Sequence, residues 1–400
     1  MVAFQIGGEQ LDLLEGAEVC LSVYGGAAFL HWLYPGAHVI GYACDRDGKP
    51  LRYKLNGLPV LVSMVLIWYF LGYNGYVHLE TIAQRFWSTL FVTNLVGLSG
   101  AAFFLWRGLH LEDHLQEKYL RCATADSPHK KQATQSDEAM FDARSILGHF
   151  YLGLEFNPRW GLFDVKMFCY LAGATLLELN LLSAAALSYK ETGTVSIAMA
   201  VYIWCFSWFC CEYMFFEKPH LYTYDIFAER LGFKLFWGCF TFYPNFYCIG
   251  VWSLIQPDVL SKDLSPAQAA GCVALFYVGW VFTRGPNMQK FWFKCDPTLK
   301  TCFNGLVQYR TISGSKILCS GFWGLSRHIN YFGEIMQAVA LSLPGYLVSG
   351  SWAPFLYVAY YIFLFIPRQI DDDAVCLQRY GKKWEEYEQT VSSRIIPLLY

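Results

Sequence analysis

Apolar residues in this chain gather into blocks of about 20, the length a helix needs to cross a bilayer core. Such blocks lie near 17–44, 58–76, 86–106, 165–187, 194–216, 231–255, 266–283, 331–349 and 352–367. Their lengths predict an all-α fold, a polytopic transmembrane helix bundle of about 9–10 spans. The block 17–44 is long enough to hide a tenth, re-entrant or interfacial piece. No period of 20–50 residues repeats, which excludes solenoids and propellers. The polar stretch 122–143 reads as a flexible loop, and no appended soluble domain is expected. Residues 1–400 therefore read as a single transmembrane domain, with a polar loop at 107–164 and a C-terminal segment at 368–400.

Charge adds an orientation. The loop 45–57 carries Arg46, Lys49, Arg52 and Lys54, whereas 77–85 carries only Arg85. Basic and poorly charged loops go on alternating: 107–164 is basic and 188–193 has only Lys190, while 256–265 has Lys262 alone before the basic stretch 284–330. The positive-inside rule puts the basic loops and 368–400 in the cytosol and the N-terminus across the membrane. Charged residues are only 16% of the chain, below the roughly 25% of soluble domains. A net charge of −2 offers nothing to nucleic acid. Most of the fourteen cysteines sit in apolar runs without any CxxC pair, so free buried thiols are expected. Met1–Glu18 is acidic and lacks a basic n-region, so no cleavable signal peptide is expected.

Two segments carry candidate chemistry. Ser320–Glu334 (SGFWGLSRHINYFGE) puts Arg327, His328, Asn330, Tyr331 and Glu334 at the cytosolic mouth of an apolar helix, where polar groups are costly unless they bind something. An interfacial belt of Trp, Tyr and Arg is the plainer reading. Asp371–Tyr387 (DDDAVCLQRYGKKWEEY) follows the last block, and its spacing puts Asp372, Cys376, Arg379 and Tyr380 on one helical face. Its plainer reading is a solvated helix. His110 and His114 have i, i+4 spacing, but they lie in a polar loop with no third ligand, so no metal site is expected.

The first segment resembles the Gly-Trp-Trp-Gly…Arg-His-Pro-Asn-Tyr-x-Gly-Asp signature of the sterol carbon–carbon double-bond reductases acting at C-14, C-7 and C-24, relatives of the lamin B receptor C-terminal domain. The second is similar to their Asp-x-x-x-Cys-x-x-Lys-Tyr-Gly ending, continuing through Trp384, Tyr387, Arg394, Ile395, Pro397 and Tyr400. Gly153–Lys166 (GLEFNPRWGLFDVK) and Arg52–Leu58 (RYKLNGL) resemble two further family motifs. Phe322, Ile329, Glu334 and Lys294 depart from the pattern, standing where the family has Trp, Pro, Asp and Arg.

The resemblance implies an NADPH-dependent reductase of a sterol C=C bond. The sterol would come from the bilayer among membrane lipids, in the endoplasmic reticulum membrane if the source is eukaryotic or the inner membrane if bacterial. It assigns NADPH contacts to Lys290, Lys294, Leu318, Trp323, Asn330, Tyr331, Asp372, Cys376, Arg379, Tyr380 and Tyr387. The absence of a GxGxxG fingerprint agrees that no Rossmann domain holds the cofactor. Alkene reduction needs a hydride from the cofactor and a proton from the protein. Tyr247 resembles a family pocket tyrosine and is the first candidate donor, with Tyr387, Asp372 or Glu334 as alternatives. Tyr222, Tyr224, Asp225 and Glu229 are expected at the pocket mouth. Two other readings stay open: an isoprenylcysteine-type membrane methyltransferase, and a non-catalytic sterol-binding or scaffold relative.

Overall fold

The computed structural model describes residues 5–6, 9–45, 49–110, 123–124, 145–227 and 229–400, and it divides into two units, Met1–Ser261 and Lys262–Tyr400. The expected flexible stretch 122–143 lies, apart from residues 123–124, outside the described residues. So does His114, the proposed partner of His110. Helix dominates, and the all-α polytopic reading holds. Among the described residues six helices are long and apolar enough to cross a membrane: Leu13–Leu33, Phe86–Leu109, Val165–Thr192, Ile197–Phe215, Pro266–Cys295 and Ala353–Tyr380. The shorter Gly57–Tyr73 and the 21-residue Ile329–Ser349 fill two more of the predicted blocks.

In the first unit, α1 (Leu13–Leu33) starts on Asp12, whose side chain accepts from the amides of Leu14 and Glu15. It stops at Leu33, so the block 17–44 is not one helix. Residues Ala37–Cys44 form β1, antiparallel to β2 (Pro50–Leu55) with Ala37 opposite Leu55. Apolar content alone does not separate a strand from a helix, and Pro35 and Gly36 end the helical run. Asn56 ties this hairpin to α1, its Nδ2 donating to the carbonyls of His31 (3.0 Å) and Tyr34 (3.2 Å). Then follow α2 (Gly57–Tyr73), α3 (Phe86–Leu109), α4 (Ile146–Leu152), α5 (Val165–Thr192) and α6 (Ile197–Phe215).

Helix α5 forms the centre of this unit. Asp164 caps it by accepting from the Met167 amide, and Gly193, at φ 74°, ends it in the left-handed conformation. Of its apolar window 78% is buried, as expected of a helix apolar on all sides. A Cβ on Gly173 would lie 2.4 Å from the Cys239 carbonyl oxygen, so only glycine admits that close approach. The block 231–255 is also not one regular helix. It runs as α7 (Phe233–Trp237), a π turn (Gly238–Phe242) and α8 (Tyr243–Phe246), breaks at Tyr247–Cys248, and resumes as α9 (Ile249–Leu254). Pro244, which lacks an amide hydrogen, lies two residues after the π turn.

The motif at 153–166 locks the polar end of α5. Lys166 is fully buried, and its ammonium donates to the carbonyls of Asp225, Ile226 and Glu229, each at 2.8 Å. Arg159 pairs with Asp164 at 2.5 Å, donates to the Arg52 carbonyl, and lies 4.9 Å from the centroid of the Tyr53 ring. Glu155, fully buried, has Arg107 Nη2 at 3.4 Å, and burial pushes its carboxyl up to about 7. Glu217 accepts from the Gly57 amide at 2.9 Å and is likewise pushed by burial to about 7.

In the second unit, α10 (Pro266–Cys295) begins with a capping box between Ser265 and Gln268. It packs along α11 (Ile329–Ser349) through small residues: a Cβ on Gly333 would lie 2.4 Å from the Thr283 amide nitrogen, and one on Gly279 2.9 Å from that of Gln337. Between them lies a hairpin of β3 (Thr301–Cys302) and β4 (Val307–Gln308). Helix α12 (Leu356–Tyr380) runs unbroken past residue 368, so the last apolar block and the first part of the polar C-terminal segment are one helix. A short α13 (Lys382–Thr390) follows the turn at Gly381.

Lys166→Met should leave three carbonyls without their donor and cost at least about 3 kcal/mol. Thermal unfolding of the detergent-purified protein should show a large fall in Tm. Glu155 and Glu217 bind their protons more tightly folded than unfolded, so their contribution is full below pH 4.5 and is lost as pH rises through about 7. Each contributes up to about 3 kcal/mol across that window. Between pH 5 and 8, Glu155→Gln should lose less Tm than wild type, and Glu155→Gln with Glu217→Gln less still.

Candidate active site

The chemistry-bearing residues of the second unit meet where the polar turns of α12 face the segment 321–328 and the C-terminal tail. Asp373 is the hub. It accepts from Arg327 Nη2 (3.1 Å), His328 Nε2 (3.2 Å) and Gln369 Nε2 (2.5 Å). Arg327 is 4% exposed, and its second carboxylate, Glu388, lies at 3.3 Å. Its Nη1 donates to the carbonyls of Val391 and Ser392, while its amide and that of His328 donate to Ser393 and Arg394. The Ser326 hydroxyl completes this staple on the carbonyls of Arg394 and Ile395. The Arg-His pair thus anchors the tail, and His328 has an orienting role through Asp373.

One residue before Asp373, Asp372 accepts from the Tyr331 hydroxyl at 2.7 Å. The Tyr331 ring stacks on Phe365 with centroids 4.4 Å apart and planes 3° from parallel, and on His328 at 5.2 Å. A tyrosine fixed on two aromatic neighbours holds its hydroxyl on the carboxylate with little rotamer freedom.

Trp323 forms a second wall. Its indole donates to the Pro286 carbonyl at 3.0 Å, and the Lys290 ammonium lies 5.0 Å from the ring centroid. Leu318 and Phe293 pack on it, with Tyr309 against the same cluster. The Tyr387 hydroxyl donates to the Trp323 carbonyl at 2.8 Å, and burial holds its phenol well above the ordinary range. That hydrogen is committed to a backbone acceptor, so Tyr387 braces the Trp323 turn. Cys376 and Tyr380 pack against the cluster of Ile312, Ile317, Trp384, Tyr387 and Val391. Arg379 lies 5.2 Å from the Tyr380 centroid, and Lys294 is exposed on the last turn of α10.

These residues suit a polyanionic dinucleotide. The Asn330 Oδ1 atom is buried with no hydrogen-bond partner among the described residues. No carboxylate among them pairs with Lys290, whose charge rests on an aromatic face. An orphaned acceptor, an unneutralised cation and an aromatic platform match the donor and stacking needs of such a ligand.

In the first unit, Tyr247 sits half-buried at the break of the 233–254 segment, its ring edge-on to Tyr243 at 4.8 Å. Asp225 accepts from the Tyr170 hydroxyl, and Glu229 pairs with Lys234 at 2.9 Å.

The sequence profile of the ergosterol biosynthesis ERG4/ERG24 family matches residues 15–400. The chain belongs to this family of sterol reductases. It is 30% identical over 402 residues to a Delta(14)-sterol reductase of Arabidopsis thaliana, covering 98% of both chains. It is 29% identical to a Delta(14)-sterol reductase of Methylotuvimicrobium alcaliphilum over 94% of this chain and 81% of the relative. With a Delta(14)-sterol reductase of Mus musculus it shares 30% identity over 96% of this chain and 85% of the relative.

Within this sterol reductase, sequence reasoning gave Asp373 no role of its own, although the fold depends on it more than on Asp372. Gln369, 1% exposed and one turn before Asp373, escaped notice too. The available signal was a buried-type Arg in one motif with a run of three aspartates in another, and nothing in their order pairs them. Asp373→Ala should cost about 3 kcal/mol or more by leaving Arg327 underpaired. Asp373→Leu combined with Arg327→Met should recover part of that loss in a thermal-unfolding double-mutant cycle.

Proposed function

We propose that the protein reduces the Δ14 double bond of a sterol, with NADPH as the reductant. The observation that carries the site reading is the Tyr331–Asp372 hydrogen bond of 2.7 Å, set beside the Lys290–Trp323 wall and the orphaned Asn330 oxygen. The names of the relatives support the bond position. When bound, NADPH supplies a hydride to one alkene carbon, and the other must receive a proton. Lys290, Lys294 and Arg379 offer charge to the phosphates, Asn330 offers its free acceptor to an amide or hydroxyl, and Trp323 offers a face for stacking. Tyr331 and Asp372 hold the proton between the phenol oxygen and Oδ2, and Asp373 keeps that carboxylate in place by tying α12 to the 321–328 segment. The sterol reaches the site laterally from the bilayer, in an endoplasmic reticulum or bacterial inner membrane.

The test is incubation of nanodisc-embedded protein with NADPH and a panel of Δ14, Δ7 and Δ24 sterols, with products read by mass spectrometry. A saturated product from the Δ14 sterol alone is expected, and a product from another sterol would move the bond position. Tyr331→Phe keeps the ring stack and loses the hydroxyl, so kcat should fall roughly 100-fold. Asp372→Ala should abolish turnover. If Tyr247→Phe stops turnover while Tyr331→Phe does not, the donor is Tyr247. Absence of product from every sterol, with no NADPH binding, would overturn the reductase reading.

A further inference from the structure

The second unit contains a groove of about 740 Å³ between the last turn of α10 and the 301–316 hairpin region. Its lining includes Phe293, Tyr309, Lys300, Lys316, Thr311 and Ser315, and no acidic side chain. Neither lysine pairs with a carboxylate among the described residues. Asp296, the nearest acid along the chain, is turned to Thr298, accepting from its amide (3.0 Å) and hydroxyl (2.6 Å). The walls are built of hydrogen-bonded backbone. Thr301 pairs with Gln308 and Cys302 with Val307, the Tyr309 amide donates to Lys300 at 2.9 Å, and Thr311 bridges to Leu318. The Tyr309 ring lies 5.3 Å from that of Phe293, and its hydroxyl is fixed on the Gln289 carbonyl at 3.1 Å.

Phe293 and Tyr309 belong to the same packed cluster as Leu318 and Trp323. The groove is therefore continuous, through shared side chains, with the wall assigned above to the cofactor. Its chemistry is that of a second, distal anion site: two ammonium groups, the Thr311 hydroxyl, an aromatic wall, and a volume within the range of small-ligand pockets. A phosphate monoester carries about −1.5 to −2 charges and three strong acceptor oxygens, which call for more than one cation and no nearby carboxylate. Lys294, in the last turn of α10, offers a phosphate a point charge without a bidentate grip, and the groove supplies two further cations.

We propose that this groove binds the 2′-phosphoadenosine end of NADPH, with Lys300 and Lys316 as ligands of the 2′-phosphate and Tyr309 as the wall for the adenine. It rests on the reading of NADPH as the reductant. Because NADPH and NADH differ only by this phosphate, the two lysines set the preference between them.

The experiment uses the full chain in nanodiscs and measures binding of adenosine 2′,5′-bisphosphate and of ADP by calorimetry, and of NADPH and NADH by fluorescence. Both lysines are exposed, so Lys300→Gln with Lys316→Gln should keep the wild-type Tm. The pair should weaken 2′,5′-bisphosphate and NADPH by roughly 100-fold, at about tenfold per lost charge-assisted contact, and leave ADP and NADH unchanged. Unchanged 2′,5′-bisphosphate affinity in the variant, with wild-type NADPH binding intact, overturns the groove assignment and leaves the NADPH reading standing. Failure of the wild type to bind NADPH at all overturns that reading itself. Inorganic phosphate and phosphoinositide-containing vesicles form the remaining arms. Binding to either that is lost in the variant, without a change toward the 2′,5′-bisphosphate, assigns the lysines to a free phosphate or a lipid headgroup and overturns the proposal.

Discussion

The second unit depends on the partnering of one buried guanidinium. Arg327 is 4% exposed, and a charge so placed must be neutralised, or the segment that carries it will not stay folded. Asp373 supplies the neutralisation, and the carbonyls of Val391 and Ser392 take up further donors. Three stretches far apart in sequence, the 321–328 turn, the polar end of α12 and the tail, are thereby held at one point. Tyr331 and Asp372 inherit their geometry from that anchor, because each sits within a few residues of it.

The first unit uses the same constraint in another form. Lys166 lies at the start of an apolar helix, and its ammonium donates to three carbonyls of the 225–229 segment. A lysine caged by backbone oxygens fixes a loop that has little regular structure of its own. Asp164, Arg159 and Tyr53 continue the lock toward the β1–β2 hairpin, so the 153–166 motif is an organiser of chain segments. In both units, residues that look like binding groups on paper are partly spent on holding the fold.

Much of this was legible beforehand. The bilayer-length blocks marked the helices, because a crossing segment must be apolar over its whole length and must satisfy its own backbone. The pattern failed at 17–44, where the second half is a strand, since an apolar run without periodicity carries no conformational signal. It failed again at 231–255, where the π turn and the break at Tyr247 depend on how closely Cys239 and Tyr243 approach Gly173 on α5. The site motifs named residues that the fold gathers around Trp323 and the polar turns of α12. They did not show that the Tyr387 hydroxyl is committed to the Trp323 carbonyl, nor that the Arg-His pair staples the tail.

The sequence by itself determined that the chain spans a membrane many times, which loops carry the positive charge, and which residue types gather near the ends of the last helices. These follow from composition and spacing, which act locally. Only the tertiary structure decided what each member of the run Asp371–Asp373 does. Adjacent residues on an α-helix point about 100° apart, so Asp372 meets Tyr331 while Asp373 meets Arg327, His328 and Gln369. Which carboxylate meets the tyrosine and which meets the guanidinium is set by the packing of neighbours 40 or more positions away, and no local pattern records that.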